Sequence, residues 1–295
     1  MTPTLVRQHP SHARATPHVD LRARARDWSE IQERMLVPLY EAVYERLDVG
    51  GGTRMLGLGC GSGLALLMAA SRGAAVTGVD SRSPELLALA RRRLLSGASE
   101  EPGTNGAGST RARADAPRIV EGSPGDAADP TAPAFTLVTA FEPTGCLAGD
   151  QDGLADLLAR ATPLAARGAA VVLAGWGPPE RCATTSVLRV AAKLADPTRG
   201  PGCWRPALRD DLEEVAQRAG LRPDGSGRVA CPFGYADTGS AVRGLLSTGL
   251  FDAAVAATDP EQVDKELTEA LHPHQRPDGT VWMPNMFRYL IARVP

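Results

Sequence analysis

Apolar residues recur at three- and four-residue steps through Trp28, Ile31, Met35, Leu36, Leu39 and Val43, the spacing of one helix face. The spacing predicts a helix over residues 20–47. Pro38 divides it in two, because its ring has no N–H to give the helix ladder. Three glycines at 50–52 stop it. Beyond them the pattern shifts to short, unbroken apolar runs at 54–58, 75–79, 118–121, 135–141 and 169–174, which read as five strands. Helices are expected between them at 64–71, 83–95 and 154–164. Gly73 follows the first of these as a C-terminal stop. Ser83-Pro84-Glu85 opens the second with a capping residue, a first-turn proline and an acid near the positive end. Strands alternating with helices imply a parallel sheet covered on both faces. After Gly175 the alternation loosens: 184–194, 207–219, 236–246 and 261–271 read as helices, 228–231 as a strand and 287–292 as a last, strong strand.

Residues 1–19, rich in His, Pro, Ser and Thr, read as a flexible tail, and 96–117, biased to Gly, Ser, Ala and Pro, as a flexible loop. The expected organisation is one domain over 20–295. Its core is 50–175, and 176–295 adds a helical cap and the rest of the sheet. The chain has 295 residues, enough for such a domain. Its composition is 43% hydrophobic and 22% charged with a net charge of -2, which offers no general attraction to nucleic acid or to anionic membranes. With no membrane-length apolar run and no secretory pattern, the expected location is cytoplasmic. Five cysteines, odd in number and without a C-x-x-C pair, argue against a disulfide framework and a zinc site, so no metal is expected.

The stretch from Arg54 to Gly63 reads as a strand, a glycine-rich turn and a helix start. Glycines let backbone approach a ligand closely in conformations that a side chain forbids. A helix N-terminus there offers N–H groups and positive potential to a carboxylate. Asp80 ends the second strand, where a carboxylate can accept both hydroxyls of a ribose. A dinucleotide site asks for G-x-G-x-x-G, but the last position falls on Leu64, Leu66 or Ser62 when counted from Gly59, Gly61 or Gly57.

MLGLGCGSG followed by GVD resembles the first two motifs of the class I S-adenosylmethionine-dependent methyltransferases, particularly the UbiE-like small-molecule group. GDAADPTAPAFTLVTAFEPTG is similar to the third and fourth motifs, DDLEEVAQRAGL to the helix before the sixth strand, and NMFRYLIARVP to the seventh strand. The resemblance covers about residues 28–295. It implies a Rossmann-like, doubly wound α/β sheet of seven strands, mostly parallel with an antiparallel last strand, plus helical additions capping the acceptor site. It implies S-adenosylmethionine as cofactor. Gly59, Gly61 and Gly63 would line the methionine part, Asp80 would hold the ribose, Ser123 (or Asp126, if the loop is shifted) would lie on the adenine side and Phe141 beside the cofactor, with Cys60 and Ser81 also among the cofactor-binding residues. Two positions depart from the pattern: Gly57 and Ser123 each stand where an aspartate is common. Each departure is expected to weaken binding by about 1–3 kcal/mol.

The implied reaction is in-line methyl transfer to a small or medium-sized molecule, as in secondary metabolism, with no nucleic-acid or membrane partner. The N-P-P-aromatic motif of amino-methylating nucleic-acid and protein enzymes is absent; Phe141-Glu142-Pro143-Thr144 stands there. A protein of the same fold that binds S-adenosylmethionine for a different reaction, or only as a ligand-binding module, shares these motifs. Candidate acceptor-site residues are Trp28, as a pocket wall or a cofactor-stacking residue, Trp176, and Tyr235, which offers a hydroxyl and a ring; packing is the rival reading for both tryptophans. Glu142 is a candidate base or anchor against a solvated loop acid. His272, beside Pro273 and His274, is a candidate base at neutral pH against a helix-end histidine.

Overall fold

A computed structural model describes residues 20–95, 116–145, 151, 153–195 and 211–295. The tail at 1–19 and nearly all of the expected loop, 96–115, lie outside the described residues, as do 207–210 of the helix expected at 207–219.

The five apolar runs form β1 (Arg54–Leu58), β2 (Ala75–Asp80), β3 (Arg118–Glu121), β4 (Phe135–Thr144) and β5 (Ala165–Trp176). Later come β6 (Arg222–Ala230), β7 (Phe233–Tyr235), β8 (Val281–Met283) and β9 (Met286–Arg293). Seven of these make one sheet in the order β3-β2-β1-β4-β5-β9-β6. β1 to β5 pair in parallel, and β9 runs antiparallel to both β5 and β6. The expected seven-stranded sheet with its antiparallel last strand is therefore present.

Both faces of the sheet are covered, which is why its central strands are apolar throughout. Along β1, Met55 packs on one side and Leu56 on the other; along β5, Val172 and Ala174 alternate with Val171 and Leu173. On the first side lie α2 (Val37–Arg46) and α3 (Leu64–Ser71), through Leu39, Val43, Leu66 and Ala69. On the second lie the helices Leu154–Ala161 and Asp211–Arg218, through Leu158 and Val215. Parallel sheets require this double cover.

The N-terminal helix is more irregular than expected. Its first piece is α1 (Leu21–Asp27), which widens into a π turn over Trp28–Gln32 and tightens into a 3-10 turn over Glu33–Leu36 before α2 begins. Pro38 sits in the first turn of α2, where its missing N–H costs nothing. The irregularity thus begins ten residues before the proline. The short strands β7 and β8, which pair as a separate two-stranded sheet, and a helix over Asp252–Ala257 were not expected. No described helix is long and apolar enough to cross a membrane.

Candidate functional site

The strand ends of β1, β2 and β4 meet the N-terminal helix around a cavity of about 480 Å³. Its floor is the turn after β1. Gly59, Gly61 and Gly63 have φ of 60°, 53° and 80°, a region that side chains rarely enter, so the turn demands glycine. At Gly63 the demand is doubled: a Cβ there would lie 2.9 Å from Ala90, on the helix α4 (Pro84–Leu95) packed beneath it.

Asp80 is buried at the end of β2. Its carboxylate accepts the Gly61 N–H at 3.3 Å and the Arg82 N–H at 2.9 Å, and takes the Arg82 guanidinium at 3.4 Å. The same guanidinium pairs with Glu142 on β4. Arg82 therefore spans from β2 to β4 across the glycine turn, with Nη2 2.9 Å from the place a Gly59 Cβ would occupy. Burial works to lower its pKa, but Glu142 and Asp80 outweigh burial and raise it. Beside them the Cys60 thiol is pushed up to about 12 by burial, with the Asp80 charge adding to the shift.

The other wall is the irregular N-terminal segment. Glu33 is buried; it takes the Ser62 hydroxyl, the Leu64 N–H at 3.4 Å and the Arg93 guanidinium at 2.7 Å. Arg93 also donates to the Ser62 hydroxyl at 2.6 Å and to the Ser29 hydroxyl at 2.6 Å. The network ties the glycine turn to the N-terminal segment and to α4. Above it, Tyr40 packs against Phe141 with ring centroids 4.9 Å apart. Burial first, then Glu33, raises the Tyr40 pKa well above its usual value.

Of the residues expected from sequence, Trp28, Gly59, Cys60, Gly61, Asp80, Phe141 and Glu142 line this cavity. The others lie elsewhere. Gly63 packs against Ala90 of α4, and Ser81 is exposed. Ser123 and Asp126 cap their own short turn, the Ser123 hydroxyl donating to Asp126 at 2.9 Å, and neither lines the cavity. Trp176 is buried between Phe287 and Phe233, with centroids at 4.7 Å and 6.0 Å. Tyr235 is buried too, its hydroxyl donating to Gln32 at 2.9 Å. The β7–β8 pair covers the end of β5, so both rings belong to packing and not to the cavity wall. His272 is exposed in the turn after the helix Pro260–Leu271 and does not reach the cavity. Its neighbour His274 lies in a separate surface depression, 3.5 Å from the Ser186 hydroxyl.

Three residues of the site went unseen in sequence: Arg82, Glu33 and Arg93. Glu33 carries no signal, because regular helical spacing sets it off the face of Ile31, Met35 and Leu39. Arg93 carries none, being one of three consecutive arginines. The carboxylate of Glu33 also occupies the N-terminus of α3, the place expected to receive a ligand's carboxylate.

No protein-family model matches the sequence, and no curated protein matches it. Solved structures do. A putative methyltransferase from Bacillus halodurans superposes with a TM-score of 0.51 at 15% identity, over 87% of this chain and 98% of that one. YjhP from E. coli does so with a TM-score of 0.50 at 18% identity, over 92% and 99%. An S-adenosylmethionine-dependent methyltransferase from Thiobacillus denitrificans, solved with S-adenosyl-L-homocysteine, gives 0.50 at 17%, over 94% and 99%. The fold is that of the class I methyltransferases. In this methyltransferase fold the cavity lies outside the carboxyl ends of β1, β2 and β4, the position at which open α/β sheets bind ligands.

Proposed function

We propose that this protein transfers a methyl group from S-adenosylmethionine to a small or medium-sized molecule. The observation that carries the reading is the joint placement of the left-handed Gly59–Gly61 turn and the buried Asp80 carboxylate on one cavity. The solved neighbour with S-adenosyl-L-homocysteine has the same fold and supports the choice of cofactor.

The residues fit such a ligand in three respects. Gly59 and Gly61 carry no side chain that would fill the floor. Asp80 offers a carboxylate for a diol. Trp28 presents a buried indole N–H that has no acceptor among the described residues. The bound cofactor supplies an electrophilic methyl group on a sulfonium. What the chain does is bind and orient. Tyr40, Phe141 and Leu36 give the acceptor an apolar surface, and Glu142, held by Arg82, gives it a polar anchor at the rim. The proposed source of rate is positioning the acceptor at about 3–3.5 Å from the methyl group. Cofactor and acceptor share about 480 Å³, which favours a small acceptor.

The test is acceptor-dependent release of adenosylhomocysteine from S-adenosylmethionine, measured over a panel of small aromatic and aliphatic alcohols, amines and thiols. Release that rises with one acceptor class supports methyl transfer. Cofactor binding with no stimulated release by any class contradicts it.

A further inference from the structure

We propose that Trp28 is the residue that reads the amino-acid end of the cofactor, its indole N–H donating to the α-carboxylate. The inference rests on the cofactor assignment above. Within that assignment, it starts from the donors around the glycine turn and from the one buried indole N–H that has no acceptor among the described residues. A carboxylate arriving over a glycine turn and a helix N-terminus ordinarily finds free backbone amides. Here four of those amides are taken. Cys60 N–H goes to the Val79 carbonyl and Gly63 N–H to the Cys60 carbonyl. Gly61 N–H goes to Asp80, and Leu64 N–H goes to Glu33. The guanidinium of Arg93 is spent on Glu33, Ser62 and Ser29.

The Trp28 Nε1–H is a side-chain donor beside them that lines the same cavity. It is buried and has no acceptor among the described residues, a state that folded proteins rarely tolerate without a role. It lies 3.5 Å from the place a Gly61 Cβ would occupy, against the glycine turn, and its residue lines the cavity. Glu33 Oε1 lies 3.8 Å from the same point. A hydrogen-bond donor and a carboxylate side by side match the two groups of an amino acid, a carboxylate and an ammonium. Both sit on the widened and tightened turns of Trp28–Gln32 and Glu33–Leu36. Single π turns inside helices are frequent at functional sites. The π turn here sets the indole over the cavity while Ser29 and Glu33 stay pinned to Arg93.

The experiment compares two ligands on two proteins by calorimetry. S-adenosylhomocysteine has the amino-acid end; 5′-methylthioadenosine lacks it. Trp28→Phe keeps an aromatic ring and removes the N–H together with the fused pyrrole ring, a loss of packing that the methylthioadenosine comparison controls for. The expected result is a loss of tenfold or more in affinity for adenosylhomocysteine, the range of a charge-assisted hydrogen bond, with methylthioadenosine changed less than about twofold. A second readout uses the unmodified protein: the indole N–H resonance that disappears in Trp28→Phe should move downfield on adding adenosylhomocysteine and stay in place on adding methylthioadenosine. Equal losses for both ligands, or no loss, overturn the assignment of Trp28 and leave the cofactor reading standing. If the unmodified protein binds neither ligand, the cofactor reading fails, and this inference fails with it.

Discussion

A Cβ on Gly57 would lie 2.9 Å from Leu66 Cδ2, and Leu66 is fully buried. The space an aspartate would need at this point of β1 is thus filled by a leucine of α3. Besides Asp80, the carboxylate that braces the glycine turn comes from Glu33, on another element. The departure visible in the sequence is real, and a second, distant residue accounts for it. Gly57→Asp is therefore expected to destabilise the fold by about 1–3 kcal/mol through overpacking, and not to improve cofactor binding. Denaturant unfolding checks it; an unchanged midpoint would show that Leu66 yields. Cys60 gives a pH test of the same turn. Only the thiolate reacts, and the thiol is held at about 12. Its alkylation rate should still be climbing at about pH 11, where a free thiol would have levelled off above about pH 9. A plateau near pH 9, read at Cys60 by mass spectrometry, would contradict the burial of the thiol.

The strands differ in how far the sequence announces them. β1, β2, β4 and β5 are apolar because both sides are covered, and a continuous apolar run marks them. β6 is an edge strand whose side chains are half-buried or exposed, with Arg222, Asp224 and Arg228 among them. Polar and charged residues suit an edge that must not pair with another chain, and they hide its first six residues from a search for apolar runs. β7 and β8 are three residues each, too short to show a period. They decide the fate of Trp176, which the end of β5 presents to Phe233 and Phe287. Trp176→Ala is accordingly expected to cost about 3–5 kcal/mol of stability. A variant with normal stability and a selective loss of acceptor affinity would return Trp176 to the cavity. The N-terminal segment depends on one ion pair in the same way. Arg93→Met leaves Glu33 buried and unpaired, at an expected cost of about 3 kcal/mol. Amide exchange should rise most in residues 21–36, and uniform exchange would contradict the tie between that segment and the turn.

The arrangement β3-β2-β1-β4-β5-β9-β6 brings together residues that are remote in sequence: Trp28 and Glu33 before the sheet, Gly59 and Gly61 after β1, Asp80 after β2, and Phe141 and Glu142 in β4. Turn chemistry made the glycines and Asp80 legible, since each must occupy a fixed place relative to a strand end. Arg82, Glu33 and Arg93 were not legible, because an exposed and a buried charge look alike until the packing is known. The same limit misplaced Trp176, Tyr235 and His272, whose residue types suit a site but whose positions are set by the β7–β8 pair and the last helices. Asp80 and the glycine turn together form the nucleoside site of the proposed function. Calorimetric titration of S-adenosylhomocysteine into the unmodified protein and into Asp80→Ala tests it most directly. The account predicts binding to the first and at least tenfold weaker binding to the second, with the thermal transition without ligand still cooperative. Equal affinity for both proteins, or tighter binding of NAD than of adenosylhomocysteine, would contradict it.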